Sequence, residues 1–142
     1  MPNESLPNEP MLKGKCECGV VSLQVKGEIE EFSHCHCSQC RRLHGSAFAT
    51  FAAVAQAGFS YLSGQDKVSS YASSDHVTRH FCSNCSSMIM SEDVQDKEVF
   101  YLSMSILQGA PEHPEGYHEF VSSKASWHEI LDDLPQHPKS LS

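Results

Sequence analysis

The sequence predicts a mainly β domain, mostly antiparallel, with little helix. Three observations predict it. Apolar residues fall in short runs that alternate with polar ones instead of recurring at the helical spacing. Seven cysteines gather at the ends of these runs, in the clusters Cys16-Glu17-Cys18, Cys35-His36-Cys37-Ser38-Gln39-Cys40 and Cys82-Ser83-Asn84-Cys85. The longest regular helix the pattern supports is under about three turns.

Each element follows in order. Residues 1–11 are largely polar, carry Pro2, Pro7 and Pro10, and read as a flexible leader. They lack the basic start and apolar stretch of a signal peptide. In residues 20–25, Val21, Leu23 and Val25 alternate with Ser22 and Gln24, a half-buried strand. Residues 28–36 continue extended, through Ile29 and Phe32, into the second cluster. Residues 38–44 read as a short helix with Ser38 as N-cap and Gly45 as its stop. Residues 47–55, small and apolar around Phe48 and Phe51, read as a buried strand. Residues 59–62 and 67–71 flank the turn Ser63-Gly64-Gln65-Asp66 and read as a hairpin. Residues 78–81 enter the third cluster, 87–90 leave it, and 99–104 form a further strand. Pro111 and Pro114 make 109–116 a loop, and 127–134 hold at most one turn of helix. The body is one domain over 12–134, with a frayed tail over 135–142.

Composition narrows the function classes. The 142 residues suit one domain with a core of its own. No apolar run approaches the ~20 residues that span a bilayer. Eighteen acidic residues against ten Lys and Arg give a formal charge of −8. A duplex DNA binder shows a basic face, so neither nucleic acid nor membrane is an expected partner. Oligomeric state is not legible. The expected compartment is the cytoplasm. Disulfides are rare there, and seven cysteines could not all pair. The clusters therefore read as metal ligands.

A Cys-x-x-Cys turn aims two sulfurs at one ion, as Cys37/Cys40 and Cys82/Cys85 can. A Cys-x-Cys pair on an extended strand puts two sulfurs on one face about 6.6 Å apart, as in Cys16/Cys18 and Cys35/Cys37. The simplest partition is a closed four-sulfur site of Cys16, Cys18, Cys82 and Cys85, and a three-sulfur site of Cys35, Cys37 and Cys40. A second partition, with Cys37 and Cys40 joining Cys82 and Cys85 as a zinc ribbon, also fits the spacing. The first implies two Zn²⁺ per chain, one structural and one catalytic, since three protein ligands leave a coordination position open. His34, His36 or His44 could close that position. His34 and His36 share one strand face, opposite the cysteines. An open three-thiolate zinc is a weak Lewis acid suited to a soft fourth ligand, and it deprotonates a bound thiol. It therefore points to thiol chemistry.

Three motifs in order, Gly14-Lys15-Cys16-Glu17-Cys18-Gly19, His34-Cys35-His36-Cys37-Ser38-Gln39-Cys40-Arg41-Arg42 and Phe81-Cys82-Ser83-Asn84-Cys85, are accompanied by Gly45-Ser46-Ala47-Phe48 and Trp127-His128-Glu129-Ile130. Together they resemble the glutathione-dependent formaldehyde-activating enzyme family, which includes centromere protein V, over about residues 14–134. The resemblance implies a zinc-pinned, beta-tent-like fold, with structural zinc on Cys16, Cys18, Cys82 and Cys85 and catalytic zinc on Cys35, Cys37 and Cys40. It implies a carbon–sulfur lyase that joins formaldehyde to glutathione or cleaves the adduct. Arg41 and Arg42 are then candidates to pair with a glutathione carboxylate. The alternatives are a non-catalytic zinc module that binds a protein partner and a thiol or zinc sensor. One departure is Ser86, where the family usually has the glycine that a left-handed knuckle favours.

Overall fold

The computed structural model describes residues 10–140. Among them are ten strands and one α-helix: β1 (Met11–Lys15), β2 (Ser22–Lys26), β3 (Glu31–Cys35), α1 (Ser38–His44), β4 (Ala49–Ala55), β5 (Phe59–Ser63), β6 (Val68–Ala72), β7 (Val77–Cys82), β8 (Met88–Asp93), β9 (Val99–Ser103) and β10 (Tyr117–Glu119). The fold is mainly β with little helix, as its sequence predicts. Most of the expected leader, residues 1–9, lies outside the described residues, and Met11 already opens β1. No helix among the described residues is long and apolar enough to cross a membrane.

The strands form two sheets, one of order β1-β2-β5 and one of order β10-β3-β4-β9-β8-β7-β6. The core lies between them. Leu12 of β1, Leu23 and Val25 of β2, Ala52 and Val54 of β4, Ile89 and Met90 of β8 and Leu102 of β9 belong to one buried cluster. Full burial of such a side chain stabilises by about 1.5–3 kcal/mol, so this contact is the main apolar tie between the sheets.

Side chains alternate across a strand with period two, and the opposite face of the large sheet is mixed, with polar side chains beside a second buried cluster of Cys35, Cys40, Ala49 and Phe51. Register aligns that face into rows. Glu31 pairs with Ala53, Ala53 with Tyr101, Tyr101 with Ser91, and Ser91 with Arg79. The next row runs from Tyr117 through Ser33 and Phe51 to Ser103. The row after it joins Glu119, Cys35 and Ala49.

Two local expectations are corrected. Residues 59–71 do not form a hairpin, since β5 pairs with β2 and β6 with β7. Between them the chain crosses from the small sheet to the large one at Gly64, whose φ of 74° is left-handed. Gly64 lies so close to the Val20 carbonyl that a Cβ would collide with it. Of the expected frayed tail, residues 135–140 are held against β10, and residues 141–142 lie outside the described residues. His118 N–H donates to Pro135 O, His137 N–H to His118 O and Phe120 N–H to Lys139 O, at 2.9, 2.9 and 3.1 Å. This covers the outer edge of β10, an edge that would otherwise expose unpaired backbone groups. Against the mostly antiparallel pattern, β10 pairs with β3 in parallel. Residues 127–134 contain no helical turn.

Candidate metal centres and the cavity between the sheet and the helix

The seven sulfurs fall into two groups, Cys16 with Cys18, Cys82 and Cys85, and Cys35 with Cys37 and Cys40. Within each group the sulfurs lie within 4.8 Å of one another. None is in a disulfide. Cys37 and Cys40 therefore do not join Cys82 and Cys85, and the ribbon partition is not the one the fold builds.

The first group joins two turns. Cys16 and Cys18 follow β1; Cys82 ends β7 and Cys85 precedes β8. Cys16 Sγ lies 3.6 Å from Cys18 Sγ, and Cys18 Sγ lies 3.9 Å from Cys82 Sγ. Cys16 accepts the Val21 N–H at 3.4 Å. Burial pushes the Cys82 thiol up to about 11, while the Ser87 hydroxyl draws Cys85 down to about 5. The knuckle closes through the Ser86 N–H, which donates to Cys82 O at 2.8 Å. Ser86 itself takes φ 71°, the left-handed conformation expected where a glycine usually stands.

The second group is built by one short segment. Cys35 ends β3, Cys37 caps α1, and Cys40 sits buried in the first turn of that helix. The helix runs as predicted, with Gly45 at φ 60° closing it, but its cap is Cys37 and not Ser38. Cys37 Sγ accepts the Cys40 N–H at 3.3 Å, the capping role a hydroxyl usually fills. Hydrogen bonds from Cys35 and then Cys40 draw the Cys37 thiol down to about 2, and the same contact with Cys37 pushes Cys35 up. By themselves, then, the three sulfurs share their protons and favour one thiolate among them. A divalent cation removes that restriction, and three converging thiolate donors are the ligand set a zinc ion takes. The donors fit the ion in both groups.

No histidine completes the trio. His34 and His36 do share a strand face, and both are engaged there. His34 Nδ1 is 2.8 Å from Thr50 Oγ1. His36, fully buried, has Nε2 2.8 Å from His118 Nδ1, and His118 Nε2 lies 3.1 Å from both Asp132 carboxylate oxygens. Burial, and then the His118 ring, depress His36 to about 4. His44 packs edge-on to Phe51 and is depressed to about 4, first by burial. Among the described residues the trio stands without a further His, Asp or Glu ligand.

The trio opens onto a cavity of about 390 Å³ floored by these rows of the large sheet. Its walls include Arg79, Tyr101, Tyr117, Glu31 and Glu119. Tyr117 Oη donates to Glu31 at 3.0 Å. Arg79 is 5% exposed and donates from Nη1 to Cys40 Sγ at 3.6 Å. Arg41 and Arg42 do not line this cavity. Sequence reading missed Arg79, the two tyrosines, and His118 and Asp132 as the partners of His36. His36 lay inside a motif, but its partners His118 and Asp132 are distant in sequence; Arg79 sat three residues before Cys82, and no spacing rule ties that position to Cys40.

Comparison with known proteins agrees with this architecture. A Rhodobacter sphaeroides protein of known crystal structure superposes with a TM-score of 0.59 at 25% identity, over 69% of this chain and 89% of that one. A Halomonas elongata protein that carries the name of a glutathione-dependent formaldehyde-activating enzyme is 31% identical over 127 residues, covering 84% of this chain and 81% of its own. A Schizosaccharomyces pombe protein described as an uncharacterized lyase is 28% identical over 100 residues, covering 70% and 71%. The sequence model of the family matches residues 11–123, across both sulfur groups and most of the cavity wall. On that match, the chain belongs to the glutathione-dependent formaldehyde-activating enzyme family.

Proposed function

We propose that the protein is a zinc-dependent carbon–sulfur lyase-type enzyme acting on a thiol adduct, with glutathione as the thiol and formaldehyde as the carbonyl partner. The family and a lyase-named relative support the coarse class, a glutathione-related enzyme of lyase type. One observation carries the finer reading: three sulfurs converge at the wall of a cavity, and no His, Asp or Glu among the described residues takes a fourth place. Cys35, Cys37 and Cys40 hold the catalytic ion; Cys16, Cys18, Cys82 and Cys85 hold the structural one. Zinc at the three-sulfur site supplies an open position that lowers the pKa of a substrate thiol.

In the forward direction the thiolate sulfur forms a bond to the carbonyl carbon, and the carbonyl oxygen gains a proton. The reverse breaks that C–S bond, returns its electron pair to sulfur and releases the hydroxyl proton as the carbonyl reforms. Tyr101, which lines the cavity, is assigned to hold the oxygen. Burial raises its pKa, with Glu31 adding to the effect, so the phenol stays protonated and can donate. Arg41 and Arg42, on α1 and outside the cavity lining, are assigned to the part of the tripeptide that extends beyond it.

The test is exchange of ¹³C-formaldehyde with glutathione, followed by NMR, on protein carrying two zinc ions per chain. Wild type is expected to accelerate both formation and decay of S-hydroxymethylglutathione. Two-zinc protein that accelerates neither direction removes formaldehyde as the substrate.

A further inference from the structure

We propose that Arg79 is a positioning residue of the three-sulfur site: its buried guanidinium hydrogen-bonds the Cys40 sulfur and offsets the negative charge that three thiolates bring to one ion. The proposal rests on reading Cys35, Cys37 and Cys40 as a metal centre.

A closed ring of contacts carries it. Gln39 of α1 donates from Nε2 to the Ser73 carbonyl at 3.0 Å. Ser73 Oγ accepts from Arg79 Nε at 3.1 Å. Arg79 Nη1 returns to α1 at Cys40 Sγ, 3.6 Å away. Ser73 is itself held by the turn between β6 and β7, where its N–H donates to Val77 O at 2.9 Å. The guanidinium is thus anchored at Nε, and a second nitrogen is aimed at a buried sulfur. Cys40 is 3% exposed and Arg79 5%.

Charge explains why an arginine sits there. Arginine does not deprotonate in proteins, and a buried cation is costly unless an anion accompanies it. A neutral thiol is a weak acceptor, so Cys40 suits this guanidinium only as a thiolate, the form a metal ligand takes. A divalent ion with three thiolates carries one net negative charge, and one guanidinium cancels it. A further anionic sulfur then leaves the centre with one net negative charge where it would otherwise carry two. Hydrogen bonding to Cys40 also fixes the direction of that ligand, the role that outer partners of metal ligands commonly play.

The experiment measures zinc affinity of the two groups separately, by competition with a chromophoric chelator, in wild type and in Arg79→Met, Arg79→Lys and Ser73→Ala. It also records the sulfur-to-cobalt charge-transfer band after Co²⁺ substitution. Arg79→Met is expected to weaken the second, looser zinc by about 10–100-fold and leave the first unchanged. Loss of the N–H···S bond should move the cobalt band to longer wavelength. Arg79→Lys should restore part of the affinity, because it keeps the charge without the fork geometry. Ser73→Ala, a milder change at a half-buried turn, should weaken the same zinc by a smaller factor. Unchanged second-zinc affinity and an unmoved cobalt band in Arg79→Met, or in both Arg79→Lys and Ser73→Ala, would overturn the role of Arg79 alone. Wild type that binds only one zinc overturns the metal-centre reading and this inference with it.

Discussion

The two sulfur groups offer the same ligand and differ in which parts of the chain each brings together. Cys16 and Cys18 follow β1 of the small sheet, whereas Cys82 and Cys85 flank the turn from β7 to β8 of the large one, so an ion held by the first group would tie the two sheets together. Cys16 and Cys82 are also members of the central core. The second group spans six residues of one connection and closes nothing distant. It lies against the face of the large sheet away from the central core, at a cavity wall. Under the proposed function, long separation suits the first group to a staple, and short separation beside a cavity suits the second to a ligand site.

The strongest way to break this contrast is to remove one sulfur from each group. Cys82→Ser is expected to lose one zinc and unfold the chain. A structural zinc contributes on the order of 10 kcal/mol, comparable with the about 5–15 kcal/mol that holds a whole domain. Cys37→Ser is expected to lose the other zinc and the lyase activity, with stability changed by no more than about 1–2 kcal/mol. Circular dichroism and metal analysis of the two variants side by side check both outcomes. Unfolding of Cys37→Ser with survival of Cys82→Ser would reverse the assignment of roles.

How much of this was legible in the chain depends on range. Cysteine spacing is local, so both groups were visible, but spacing left the ribbon partition open because it cannot say which turns meet. The helix after β3 was legible because Gly45 marks its end. Cys37 took the cap from Ser38 because a thiol can accept the same N–H. The hairpin over 59–71 failed for the opposite reason. Alternation identifies a strand but not its partner, and Gly64 served as a crossing between sheets, not as a hairpin turn. The cavity was illegible in full. Glu31, Tyr101 and Arg79 meet only through the register of five strands, and no local pattern encodes it. Arg41 and Arg42 adjoin Cys40 in sequence, yet each residue turns a helix by about 100°, which carries them off the face that Cys40 presents.

Acid sharpens the contrast on the side of the second group. His44, on the last turn of α1, has its pKa depressed to about 4 by burial, below the ordinary value of 6.5. A histidine held neutral in the fold contributes its full stability above the unfolded value. That contribution is lost as pH falls from 6.5 toward 4, where the unfolded chain takes up the proton first. His44→Phe should therefore flatten the decline of melting temperature between those pH values relative to wild type, with little change at pH 8. A slope identical to wild type would mean that His44 charges without opening the helix end.

The smallest expected effects separate the two groups by sign. Each is closed by a residue with positive φ: Ser86 at 71° beside Cys85, and Gly45 at 60° at the end of α1. A non-glycine residue in that conformation costs about 1–2 kcal/mol, against about 0.5–1 kcal/mol of extra unfolded-chain entropy that a glycine must lose. Ser86→Gly should therefore stabilise the zinc-loaded protein by about 0.5–1 kcal/mol. Gly45→Ala should destabilise it by a similar amount, and through the backbone alone, since a Cβ at Gly45 meets nothing within 4 Å. Urea unfolding midpoints at fixed zinc concentration measure both. Because Ser86 belongs to the sheet-joining group, its gain should appear in global unfolding, whereas the Gly45→Ala loss should fall chiefly on α1 and be seen as faster amide exchange at Arg41 and Arg42. Faster exchange spread across both sheets in Gly45→Ala would show that the three-sulfur segment also holds the sheets together, and the division between staple and ligand site would fail.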